Sequence, residues 1–145
     1  MENQSIPQEE IEKQIQDQVE RIEKSIIETL VYLGELCVTE ARTGYTYVPR
    51  TGNLLSSVGY HIIKDGVFVK GSNFNGGFGG QTGQSFIESL YSMHSKGIVL
   101  IVVAGMNYAG FVESKGFNVL TSSEMLADRE LPGMMNVLGF ETTKK

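Results

Sequence analysis

The 145-residue chain has no tryptophan, one cysteine and two histidines. A single cysteine excludes an internal disulfide, so the fold must rest on packing, and the chain is compatible with a reducing compartment. Cys37 could act as a nucleophile only if a histidine activated its thiolate. It falls on the apolar seam of a helical pattern, where a free cysteine reads as inert core. Neither His61 nor His94 has a second histidine or a cysteine three or four residues on, and no HExxH or CxxC occurs. The Gly-x-Ser-x-Gly of a serine-hydrolase elbow is missing too. Long hydrophobic runs are absent: the apolar stretch 98–103 is far too short to cross a bilayer. The opening Met-Glu-Asn-Gln lacks an apolar h-region, so no secretory signal is expected. A soluble protein made in the cytoplasm, using no cofactor or metal, is the expectation.

What the chain does have is acid, unevenly placed. Residues 1–40 carry ten acids against three bases, −7 net, so the remainder is +2 to reach the total of −5. This acidity reads either as a solvated helix face or as a surface that meets a basic neighbour and lets nucleic acid slide past. No basic patch of the kind that grips phosphates is present. Acid pairs are plentiful but carry no spacing that points to general acid–base catalysis.

Length and apolar content suit one domain able to bury a real core. Residues 1–7 read as a polar arm ending at Pro7. A long helix is expected over 8–42. Its apolar residues Ile11, Ile15, Val19, Ile22, Ile26, Leu30, Leu33, Cys37 and Ala41 recur at intervals of four, four and three. That eleven-residue period keeps the stripe on one face of a nearly straight helix. The stripe widens in the second half with Ile27, Val31, Tyr32 and Leu36, so that half is expected to pack on the domain. The first half either projects to meet another subunit or frays.

Gly44 is placed to end the helix, and Tyr45, Tyr47, Val48 and Pro49 make an aromatic loop. Thr51 is an N-cap candidate for a short helix through Ser57. Strands at 58–63 and 67–70 flank Asp65-Gly66, a hairpin turn. Residues 71–83, GSNFNGGFGGQTG, read as a flexible glycine-rich loop. It is neither a P-loop nor a dinucleotide fingerprint, because Gln84 follows the last glycine and Thr82 stands where a third glycine belongs. Ser85 and Glu88 form a capping box for a helix over 85–95, with Phe86, Ile87, Leu90 and Tyr91 inward. The β-branched run from Ile98 reads as the central strand, buried on both faces. It delivers an aromatic and acidic turn, Asn107 to Glu113, to one edge of the fold. Thr121 and Glu124 form a second capping box, with Met125 and Leu126 inward, and Pro132 kinks or restarts that helix. Residues 139–145 read as a tail. The expected class is α+β: a long N-terminal helix on a small antiparallel sheet, an inserted helix, a C-terminal helical segment, and a core spanning 51–138.

Two blocks carry a family resemblance. The first is Pro49-Arg50-Thr51-Gly52-Asn53-Leu54-Leu55-Ser56-Ser57, before a strand; the second is Asn107-Tyr108-Ala109-Gly110-Phe111-Val112-Glu113, after one. Together and in this order they resemble the tail-completion, or head–tail joining, proteins of long-tailed bacteriophages, also described as neck or minor tail components. Leu55 stands where family members often carry a base, and Ser114 and Lys115 separate Glu113 from the next glycine. The resemblance implies a non-enzymatic structural protein of the virion, made in the host cytoplasm. It implies a ring of copies, commonly sixfold, between the portal-side connector and the tail tube, with DNA passing through and no membrane involved. The residues it marks as interface candidates are Thr51, Gly52, Asn53, Leu54, Tyr108, Ala109, Val112 and Glu113. Their internal alternative is a cap, a core leucine and a satisfied tyrosine. A different class of function, a small ligand- or nucleotide-binding protein using residues 71–83, is the alternative.

Overall fold

Residues 8–33 contain neither proline nor glycine, so nothing in them interrupts a helix. In the computed structural model, which describes residues 7–49, 51–74, 77–106 and 109–140, helix α1 runs Gln8–Thr43. It ends at Gly44, whose N–H reaches Glu40 O; the glycine keeps a right-handed φ of −91° and its left-handed freedom is unused. The fold is α+β. Helix α2 (Asn53–Ser56) leads into strands β1 (Val58–Lys64) and β2 (Val67–Gly71). Helix α3 (Phe78–Ser89) and a 3₁₀ turn at Tyr91–Met93 precede β3 (Ile98–Ala104), then come α4 (Ala109–Ser114) and α5 (Thr121–Val137).

The hairpin forms as its turn chemistry dictates: Asp65 and Gly66 both take positive φ, 51° and 81°, the backbone that twists a two-residue turn to match its strands. The sheet order is β2-β1-β3, all antiparallel. The apolar β3 is therefore an edge strand and β1 is central, the reverse of what hydrophobicity alone suggests. Six consecutive residues of β1 are buried, including Gly59 and His61, whereas Ile98, Val99 and Leu100 at the start of β3 are half-exposed. Alternation along both strands feeds two cores. Val58, Tyr60, Ile62 and Ala104 face α1, and Ile63, Ile101 and Val103 face α3 with Ile87.

The second half of α1 packs as its widened stripe requires. Leu33, Cys37, Val38 and Ala41 are buried, although Tyr32 turns outward. Helix α5 lies antiparallel along it, from Ser123 beside Cys37 to Leu138 beside Ile22. The Ser123 hydroxyl donates to Cys37 O at 2.7 Å, and burial pushes the Cys37 thiol up, so this cysteine is packing material. Met125 is exposed, and Ser123, Ala127 and Leu131 take the inward positions instead. Pro132 lies inside one continuous helix and does not restart it.

The largest departure from the sequence reading is α3. Glycines 79, 80 and 83 are helical, and the helix begins seven residues before Ser85, so neither the capping box at Ser85 nor a loop through Gly83 exists. Phe86 is exposed. The glycines serve close approach. A Cβ on Gly79 would lie 2.3 Å from Asn53 O, and one on Gly83 2.5 Å from Ser57 O. Spaced four apart, they form a bare strip that lets α3 touch the backbone of α2 and of the turn into β1. Tertiary contact outweighs the helix penalty of glycine, roughly 1 kcal/mol each.

This packing predicts opposite signs for two glycine-to-alanine changes. Gly79→Ala forces the backbones apart and should cost about 2 kcal/mol. Gly133→Ala, at an exposed helical site with nothing within 4 Å, should gain about 0.5–1 kcal/mol. Urea unfolding midpoints measure both; a neutral Gly79→Ala would refute the close approach.

Candidate functional site

The first half of α1 stands clear of the rest. Every residue from 8 to 22 is exposed, and the side-chain bonds there are local, Gln8 to Glu12 and Gln16 to Glu20. A helical segment of this length is marginal alone. Here it is an extension of a packed helix, so no new nucleus has to form. Ile11, Ile15, Val19 and Ile22 line one face at 42%, 58%, 40% and 48% exposure. They make an apolar ridge roughly 20 Å long with charges on both sides. A ridge of large aliphatics that the described residues leave exposed is a candidate contact surface.

The same chain carries an apolar groove. Leu30 and Leu33 of α1, Leu100 and Val102 of β3, and Ala127 and Leu131 of α5 surround a depression of about 570 Å³. Its floor is the half-exposed edge strand, a surface that sheet proteins ordinarily cover.

The interface candidates read from the sequence divide differently. Thr51 is exposed and its Oγ1 accepts the Asn53 N–H at 3.3 Å, one position outside the cap; Gly52, with φ +77°, occupies the cap itself. Asn53 opens α2, and its backbone is what Gly79 touches. Leu54 and Ala109 are buried, and Val112 packs against the same core. Tyr108 lies outside the described residues, as do Asn107 and Arg50. Glu113 turns its carboxylate inward. Oε1 accepts N–H groups from Val119, Leu120 and Thr121, and Oε2 accepts the Thr121 hydroxyl at 2.6 Å. Glu113 is thus the cap of α5, placed eight residues before it, and the expected Thr121–Glu124 box does not form. Asn118 completes the joint, accepting the Ser122 N–H and donating to Gly44 O. Leu54, Ala109, Val112 and Glu113 therefore hold the fold together, and of the described set only Thr51 is exposed. Burial pushes the Glu113 carboxyl up, but the bonds from Thr121, Leu120 and Val119 outweigh it and hold it below 4.5.

On the opposite side of the sheet a cleft of about 460 Å³ opens between β1, β2 and α3. His61, 6% exposed, lies on its floor, with Nδ1 sharing a 2.5 Å hydrogen bond with the Tyr91 hydroxyl. The alternative ligand reading pointed to residues 71–83, and Gly71, Ser72, Asn73 and Phe74 do line this cleft. Its described lining holds one carboxylate, Glu88, and no lysine or arginine. Among the described residues no cluster of His, Cys, Asp or Glu could hold a metal ion, and no helix is long and apolar enough to cross a membrane. No family model, curated protein or solved structure matches the chain.

The cap at Glu113 sets a pH signature. A folded pKa below the unfolded one gives stability that is complete above the ordinary 4.5 and is lost as pH falls through the folded value. Glu113→Gln should cost about 1 kcal/mol at neutral pH. Its stability should also fall less than that of the unaltered protein between neutral and acid pH, as read by thermal melts; parallel curves would remove Glu113 from the cap.

Proposed function

We propose that this chain is a structural component of a tailed-phage virion, a tail-completion protein that assembles as a ring joining the neck to the tail tube. The observation that carries the reading is the uncovered apolar ridge at Ile11, Ile15, Val19 and Ile22. The ordered pair of blocks at 49–57 and 107–113 supplies the viral context. Charge supports a particular mode of assembly. Two copies of the acidic α1 side by side would repel. The ridge is better matched to the remainder of a neighbouring copy, which carries +2 against −7 for the first forty residues. Ridge into groove is a head-to-tail contact, and repeated head-to-tail contacts close into rings when the rotation allows. The portal-side connector and the tube are the further partners, and DNA runs past the acidic helices without being held.

The test is complementation of a phage lacking the chain. The unaltered protein should restore joined particles in electron micrographs, with its density at the neck. Ile11→Gln with Ile15→Gln should leave heads and tails apart while moving stability by only about 0.5 kcal/mol, since both side chains are exposed. Complete infectious particles without the polypeptide would end the proposal. If the helices line the channel, Glu9→Gln, Glu12→Gln, Asp17→Asn and Glu20→Gln together should slow DNA ejection; an unchanged rate would count against a channel-facing α1.

A further inference from the structure

The cleft on the α3 face is walled by rings. Phe68 pairs with Ile63 in the register that the two-residue turn sets, and paired residues share a face, so Phe68 lies on the side of His61, where the two rings meet edge to face at 4.8 Å. The β1–β2 register slips between Ile62 and Ile63, and this bulge sets Gly71, not Lys70, opposite His61, which keeps a lysine off that face. Phe74 reaches the same histidine at 5.7 Å and Tyr91 at 5.9 Å. Phe74 lies where only glycine leaves room: a Cβ on Gly59 would come within 2.3 Å of its ring, and one on Gly83 within 2.7 Å. Four rings and two bare backbone positions thus converge on one opening.

The charge at that opening is of one sign. Glu88 and Gln84, one turn apart on α3 and joined at 3.1 Å, stand at the mouth. His61 adds no positive charge at neutral pH, because burial lowers it from 6.5 and the pull of Glu88 does not offset this. Its Nδ1 is taken by Tyr91, so it serves as a fixed neutral wall. Among the described lining residues no cationic side chain is offered to a phosphate or other anion. Ring faces carry partial negative charge, and together with one carboxylate they favour a large, weakly hydrated cation over a metal ion.

We propose that this cleft is a binding site for an alkylammonium ion, either free or carried on a larger molecule. The head group would be enclosed by Phe68, Phe74, His61 and Tyr91 and neutralised by Glu88. The site is on the opposite side of the sheet from the groove and does not depend on the assembly reading.

The full chain titrated by amide NMR tests it. The probes are choline, a trimethyllysine peptide, and 3,3-dimethylbutanol, the uncharged isostere of choline. Saturable shifts at Gly71, Ser72 and Gln84 are expected for a cation, with the isostere weaker by about tenfold or more. Glu88→Gln and Phe68→Ala alter exposed side chains, so their spectra should stay folded while cation affinity falls by a similar factor. Tighter binding of choline points to a free or lipid-borne head group, and tighter binding of the peptide to a protein side chain; either supports the site. Absence of shifts with both cations overturns it. So does an isostere that binds equally well, or an affinity unchanged in both variants.

Discussion

Strand β1 is hydrogen-bonded on both edges and covered on both faces, and β2, β3, α1 and α3 are placed by those four demands. Its edges take β2 through a two-residue turn and β3 through a long excursion. Its α1 face is filled by Val58, Tyr60 and Ile62. Its other face carries Gly59, His61 and Ile63, a small, a polar and a large residue that no single helix surface would match by itself. The glycines of α3 resolve that mismatch by bringing the helix to backbone distance at one end, while the rings of Phe74, Phe68 and Tyr91 fill the other. The buried histidine is tolerated because it has the Tyr91 hydroxyl as partner.

Features that depend on neighbours in sequence were legible. The eleven-residue stripe located α1 and the half of it that packs, Asp65-Gly66 located the hairpin, and the seam position of Cys37 placed it in the core. Features that depend on remote contact were not. Residues 77–83 have loop composition, and only the proximity of the backbones at Asn53 and Ser57 makes glycine an asset in a helix there. The run from Ile98 to Val103 is more apolar than β1, yet strand order is decided by what pairs with what, and hydropathy does not encode pairing. Glu113 was visible as a charge but not as a cap, because the helix it caps begins after an intervening turn. Met125 turned outward because the face of α5 that meets α1 is the one carrying Ser123, whose hydroxyl bonds Cys37 O, a contact with a remote helix that the local pattern does not contain.

The same division separates the two proposed surfaces. The ridge on α1 was readable from periodicity, since an apolar stripe along one helix face is a local pattern. The ring-walled cleft was not, since Gly71 stands opposite His61 only through a bulge, and Phe74 reaches it only through the room left by two glycines on different elements. Of the residues marked by the family resemblance, Leu54, Ala109 and Val112 pack in the core and Glu113 caps α5, so these four are internal to the fold.

Helix α1 has a mechanical property that follows from its continuity. From residue 8 to residue 33 there is no glycine or proline at which it could bend, and its first glycine, Gly34, lies flat against the Tyr60 ring of the central strand, whose hydroxyl is tied to Glu35 at 2.8 Å. Outward from that contact the helix is held as far as Glu23, which takes the Lys64 ammonium at 2.6 Å, and Ile22, beside Leu138. Beyond those supports the arm continues the same helix, so a tilt of a few degrees there moves Ile11 by about 1 Å.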